Sequence, residues 1–235
     1  MSDLNSEFFE IKGRSMIKKI VFALVYSSLI LGILEAAPRK KNEELPNWIF
    51  LNDSSIGSSW VGIGKTNYIT VDLAYSFTVA TYASTGGVRR TFGFDVEVPL
   101  YVSAFGNSNG VTRAEKITEA FGYGVVVPFT IGIEIKSFWL KGLFGYTFNQ
   151  ISEGFELTKN PDDVVKMNML YHGFTYGFGL GWRYKNVINL SLKAMLGKLQ
   201  NSSRNVSGAG FENEIEKRSR QYNLIRIGAS ASITF

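Results

Sequence analysis

With 235 residues, a formal charge of +5 and no cysteine, the chain has room for one domain. It has no means of building a disulfide framework, a thiolate zinc site or a cysteine nucleophile. Basic residues are scattered along it rather than gathered on one face, which argues against a nucleic-acid partner, and no motif calls for a metal or a cofactor.

The first element is a targeting segment. Met16-Ile17-Lys18-Lys19 is a basic start, residues 20–34 are mostly apolar, and Glu35-Ala36-Ala37-Pro38 follows. That is the three-part pattern of a secretory signal, too short to cross a bilayer as a helix, which takes ~20 apolar residues. Cleavage is expected after Ala36, because a cut one residue later would place Pro38 directly behind it. Asp3, Glu7 and Glu10 are an odd prelude to a signal, so translation is expected to begin at Met16. Residues 1–36 are thus read as extension and signal, 37–57 as a periplasmic segment, and 58–235 as the folded domain.

From there the dominant signal is period-2 alternation, the mark of a strand with two unlike faces. A first, weakly marked strand is placed at residues 60–65. In 68–82, Ile69, Val71, Leu73, Tyr75, Phe77 and Val79 face one way; Thr70, Asp72, Ser76 and Thr78 face the other. In 91–103 the apolar side is Phe92, Phe94, Val96, Val98, Leu100 and Val102, against Asp95 and Glu97. Residues 121–135 set Tyr123, Val125, Val127, Phe129, Ile131, Ile133 and Ile135 against glycines, Thr130 and Glu134. Residues 140–148 set Phe144, Tyr146 and Phe148 against Lys141, Gly145 and Thr147. In 170–184, Phe174, Tyr176, Phe178, Leu180, Trp182 and Tyr184 oppose a row of glycines and Arg183. Residues 188–196, with Lys193, and 222–235, with Arg226, complete the set.

Most of these runs reach or exceed the ~9–11 residues that cross a bilayer with tilt. Short turns at Ser84–Gly87, Lys136-Ser137 and Lys185-Asn186 alternate with long polar stretches at 106–116, 150–166 and 199–221. A soluble sandwich would turn its apolar face inward and needs neither such length nor aromatics at the strand ends. The fold expected is all-β: a transmembrane antiparallel up-and-down barrel of about eight strands, apolar face to lipid, polar face to the lumen. Pro99 and Pro128 fall inside strands, where bulges or a break in pairing are expected.

The last strand ends in a terminal aromatic, with apolar residues at alternate positions: Ile225, Ile227, Ala229, Ala231, Ile233 and Phe235. Here the chain resembles small outer-membrane barrel proteins of Gram-negative bacteria, the eight-stranded group of the OmpA membrane domain, OmpX and OmpW. The resemblance covers residues 58–235 as a pattern and not as residue identities. It implies outer-membrane localisation, contact with outer-membrane lipid and lipopolysaccharide, and reading of Ile233 and Phe235 by the barrel assembly machinery.

The inner faces collect a lumenal charged cluster, Asp72, Asp95, Glu97, Glu134, Lys141, Arg183, Lys193 and Arg226, expected to pair in a narrow, filled interior. Such a barrel would be structural or interact through its outer loops with a surface ligand. The same charges could instead line the constriction of a narrow porin-like channel. An outer-membrane enzyme acting on lipid or peptide at the rim is a third reading, carried by His172, the one histidine, with Asp162-Asp163. By parity His172 points outward at headgroup level, and no catalytic residue is expected. The run Trp60-Val61-Gly62-Ile63-Gly64-Lys65-Thr66 is no phosphate loop, since Ser59 stands where that pattern needs glycine. Tyr123, Phe148, Tyr171, Trp182 and Tyr184 are assigned to the two aromatic belts.

Overall fold

The computed structural model describes residues 48–81, 87–109, 117–157, 160–185, 187–207 and 220–235. They form eight strands: β1 (Trp48–Ile63), β2 (Thr66–Thr81), β3 (Val88–Gly106), β4 (Ile117–Ile135), β5 (Phe138–Leu157), β6 (Asn160–Tyr184), β7 (Ile188–Ser207) and β8 (Gln221–Thr234). Each pairs antiparallel with the next, and β1 pairs with β8, which closes the barrel. The signal segment, the start at Met16 and the segment 37–47 lie outside the described residues.

Side-chain parity holds along every strand, and the faces are inverted relative to a soluble protein. Ile131, Phe138 and Phe174 point outward at 65 %, 67 % and 63 % exposure, whereas Asp95, Glu134 and Arg183 point inward at 2 %, 1 % and 2 %. An aqueous surface of this kind would be prohibitively apolar, so the wall is a lipid-facing one. On β5 the apolar outward row runs from Phe138 to Phe148 and gives way to Gln150 and Ser152; on β7 it runs from Ile188 to Leu196 and gives way to Lys198. These changes mark the edge of the membrane zone at the end that carries the connections 64–65, 107–116, 158–159 and 208–220, the loop end. The other end carries the connections 82–87, 136–137 and 185–187, the turn end.

The structure corrects three expectations. The first strand is not the short run 60–65; β1 starts at Trp48 and has 16 residues, so the boundary at residue 57 falls inside it. Its outward positions include Asn52, Ser54 and Ser58, which erase the alternation on which detection relied. The stretch 150–166 is not a loop: β5 and β6 stay paired up to Leu157 and Asn160, and β7 likewise continues to Ser207. Tyr171 is not in an aromatic belt; it points inward and is fully buried, one residue out of phase with His172 on the outer face.

The prolines do break pairing, without bulges. Pro99 is paired with Asp72 on β2, and Pro128 with Gly145 on β5. On the seam between β3 and β4 the ladder lapses beside both, then resumes at Glu97/Val126 and Leu100/Tyr123 in unchanged register. Register shifts lie elsewhere, at Val102 opposite Ile69/Thr70, at Thr118 opposite Phe155/Gly154, between Glu156 and Leu157, and at Ser202 opposite Leu170/Tyr171.

Glycine is sterically required where the Trp139 ring lies against the inner wall. A Cβ on Gly181 would come within 2.5 Å of that ring. Replacing Gly181 by Val should destabilise the barrel by roughly 1–3 kcal/mol, the usual cost of overpacking, measured by urea unfolding in detergent micelles. Leu180→Val, on the lipid face next to it, should have a smaller effect.

Candidate functional site

The lumen holds two stacked ionic layers. Near the turn end, Arg183 on β6 bridges Asp53 on β1 and Glu134 on β4, each at 3.0 Å, and Arg89 on β3 reaches Glu134 at 3.3 Å. Trp139 Nε1 donates to Asn189 Oδ1 at 2.8 Å, Asn189 Nδ2 donates to Asp53, and the Thr234 hydroxyl donates to Asp53 as well. In the middle of the barrel, Lys193 on β7 spans Asp95 at 2.6 Å and Glu97 at 2.5 Å on β3. Arg226 on β8 reaches Glu97 at 2.8 Å and Asp72 on β2 at 3.1 Å. Ser59 and Thr70 donate hydroxyl hydrogen bonds to Asp72. Lys141 on β5 donates to Thr78 at 2.9 Å, with its ammonium 5.3 Å from the Trp139 ring centroid.

All eight residues of the charged cluster therefore point into the lumen, and seven of them meet in ion pairs. Lys141 has no carboxylate at ion-pair distance among the described residues. The sequence reading omits Asp53 and Arg89, because both lie outside the strand bounds drawn there. With them the layers contain Asp53, Asp72, Asp95, Glu97 and Glu134 against Arg89, Lys141, Arg183, Lys193 and Arg226. The charges balance, as a narrow low-dielectric interior requires. Cavities of about 20 Å³ remain beside Asp95 and beside Asp72, each room for one water and no larger solute.

Above these layers, towards the loop end, the lumen turns apolar. Val61, Ile63, Tyr68, Tyr101, Ile151, Met167, Met169, Tyr171, Leu199 and Leu224 form a contiguous plug. Tyr68 packs edge-on to Tyr101 at 5.3 Å and Tyr171 to Tyr222 at 5.6 Å. One acid is embedded here: Glu153, fully buried, accepts hydrogen bonds from the Tyr68 hydroxyl and from Ser108 Oγ, the latter at 2.6 Å. Asn109 ties the same corner down, donating to Ile63 O at 2.6 Å and accepting from Lys65 N at 3.0 Å. Sequence reading missed Glu153 because it placed that stretch in a loop.

Glu153 lies beyond the apolar outer row of β5, outside the membrane zone. Burial pushes its carboxyl up to about 7 from the usual 4.5. The protonated acid suits the plug, so this stabilisation is complete below about pH 4.5 and is lost as pH rises through 7.

On the outer wall, His172 Nδ1 and the Tyr146 hydroxyl share a 2.5 Å hydrogen bond, with Phe148 as the cross-strand neighbour. His172 has no serine or carboxylate partner among the described residues, and the side chains of Asp162 and Asp163 lie outside them. Ile233 points outward near the turn end at 61 % exposure, and Phe235 follows the last strand residue, Thr234.

No family model and no curated relative matches the chain. Among solved structures it is similar to the attachment invasion locus protein Ail of Yersinia pestis in complex with the heparin analogue sucrose octasulfate. That match has 11 % identity, a TM-score of 0.42, and covers 79 % of this chain and 99 % of that one. It is similar to the outer membrane protein OprG of Pseudomonas aeruginosa, at 7 % identity and TM-score 0.46 over 79 % and 95 %. It is also similar to the outer membrane protease OmpT of Escherichia coli, at 7 % identity and TM-score 0.32 over 83 % and 99 %. None of these likenesses bears on what the chain does.

Two outcomes follow. Arg183→Leu leaves Asp53 and Glu134 buried without their shared cation and should cost about 3–5 kcal/mol, read from urea unfolding in micelles. Between pH 4.5 and 7.5 the same titration should show the wild type losing up to about 3 kcal/mol through Glu153. Glu153→Gln should remove that loss; an unchanged pH profile in the variant would assign it to other groups.

Proposed function

We propose that the chain is an outer-membrane β-barrel with a closed lumen, acting as a structural and surface-interaction protein through its wall and outer loops. The observation that carries this reading is the doubly blocked interior. A neutral, cross-linked ionic core fills the middle of the barrel, and an apolar plug fills its loop end. A conducting pore needs a continuous wet path lined on one side by groups that bind and release the solute. Here the inward charges are matched to one another, and the cavities beside Asp72 and Asp95 have room for no more than one water each.

The extended hairpin of β5 and β6 supports the surface role, since it carries paired strands beyond the membrane zone at the loop end. In this reading lipid and lipopolysaccharide surround the wall, the barrel assembly machinery reads Ile233 and Phe235, and the loops hold whatever surface ligand the protein meets. His172 is an interfacial residue, not a catalytic one.

Single-channel recording of the refolded chain in a planar bilayer tests the closed lumen. The expected trace is silent while heat-modifiable gel mobility shows a folded barrel. Reproducible steps that shift on Glu97→Gln would overturn the reading and make the protein a narrow channel with a charged constriction.

A further inference from the structure

The outer wall is uneven in both shape and charge. Around the middle of the membrane zone the cross-strand row Ile131, Gly142, Phe178, Ala194, Ile227 places small residues on either side of Phe178. The row nearer the loop end is large throughout, with Phe144, Tyr176, Leu196 and Ile225. Between these rows the wall sinks into an apolar recess of about 520 Å³ that spans β4 to β8. Gly142 and Ala194 make its floor.

Directly towards the loop end from this recess, the first polar positions are Lys198 on β7, two residues beyond Leu196, and Asn223 on β8, two residues beyond Ile225. Lys198 is the cross-strand partner of both Phe174 and Asn223, and Gln200 that of His172. Positions two apart on one face of a strand lie about 7 Å from each other, within the span of one lipid headgroup and the start of its chain. Lys198 is exposed and has no hydrogen-bond or ion-pair partner among the described residues. His172 is held in place through Nδ1 by Tyr146, and its Nε2 has no partner among them. The outward positions within residues 138–154, 166–184, 188–202 and 221–235 contain no Asp or Glu. The outward positions of β1 to β3 at the same end, among them Ser58, Gly62, Asn67 and Ser103, carry no charge. A cation, an imidazole and two amides thus stand at the membrane edge on a face that has an apolar recess beneath them.

We propose that this face is a binding site for a phosphate-bearing lipid of the leaflet at the loop end. The phosphate is held by Lys198 with His172, Gln200 and Asn223 around it, and an acyl chain lies in the recess beside Phe178. Charge complementarity selects the headgroup, because an ammonium at a membrane surface attracts anionic lipid, while hydrocarbon fills a recess that no side chain of the barrel fills. The proposal rests on the transmembrane fold and not on the closed lumen; a conducting barrel would hold the same lipid.

Native mass spectrometry of the full chain, refolded in maltoside micelles and titrated with dioleoyl phosphatidic acid, dioleoyl phosphatidylcholine or sodium phosphate, tests it. One phosphatidic acid should be retained in preference to phosphatidylcholine. Lys198→Gln should weaken that binding about 5-fold, the worth of one lysine at a charged surface. Filling the recess with Gly142→Leu plus Ala194→Phe should weaken both lipids alike. These changes are tolerable to the fold, since both residues face lipid and a Cβ on Gly142 meets nothing nearer than 3.7 Å. Lys136→Gln at the turn end should leave retention unchanged. Equal retention of the two lipids, or wild-type retention in both Lys198→Gln and the filled variant, would overturn the site. So would displacement of phosphatidic acid by an equal concentration of sodium phosphate, which would leave an anion site and no lipid site.

Discussion

The seam between β1 and β8 is the constraint from which the other features follow. Residues 53–63 pair with residues 224–234, and without that pairing the sheet would offer two open edges to hydrocarbon. Lipid cannot hydrogen-bond an exposed N–H or C=O, and each one left unpaired there costs several kcal/mol. Closure therefore has to be nearly complete. The departures from it are confined: the lapses beside Pro99 and Pro128 fall on one seam, between β3 and β4, while both prolines are paired on their other side. The register shifts, at Val102, Thr118 and Ser202 and between Glu156 and Leu157, sit towards the loop end, where water can satisfy what the ladder does not.

Once the sheet is closed in lipid, the inward face becomes the only place for charge, and the narrow interior dictates how that charge is arranged. Every strand contributes to the ionic layers: Asp53, Asp72, Arg89 with Asp95 and Glu97, Glu134, Lys141, Arg183, Lys193 and Arg226 come from β1 to β8 in order. Buried ion pairs are weak evidence of net stability, because desolvation offsets much of the attraction. Their stronger effect here concerns register. A slip of one residue in any strand would turn its charge to lipid and its apolar row to the lumen, and would also leave a partner across the barrel uncompensated. Arg183 joins β6 to β1 and β4, so a wrong register of one strand would be felt on the far side of the ring.

The same physics decides what could be read from the sequence. Parity is set by the chain alone, so the lumenal placement of Asp72, Glu97 or Arg226 was legible wherever the outward row was apolar. Asp53 was not, because Asn52, Ser54 and Ser58 give β1 a polar outward face on this side and hide the period. Glu153 was misplaced for a different reason. Above the membrane edge both faces of a strand can be polar outside and mixed inside, so the extension of β5 and β6 looks like a loop although it is fully paired. Which charges pair with which was not legible at all: Arg183 and Asp53 are 130 residues apart, and only closure brings them together.

The two ends of the barrel close by opposite means, and the difference bears on where function resides. At the turn end, Arg183, Asp53 and Glu134 make a seal of paired charges. At the loop end, the seal is apolar apart from Glu153, an acid supported by two hydroxyls and no cation among the described residues. A carboxyl in that setting is easiest to keep while neutral, and burial raises its pKa accordingly. In the proposed reading the interior serves to hold the ring in register. Groups free to meet another molecule are found on the outside: Lys198 and His172 at the membrane edge, and the strands that rise past it.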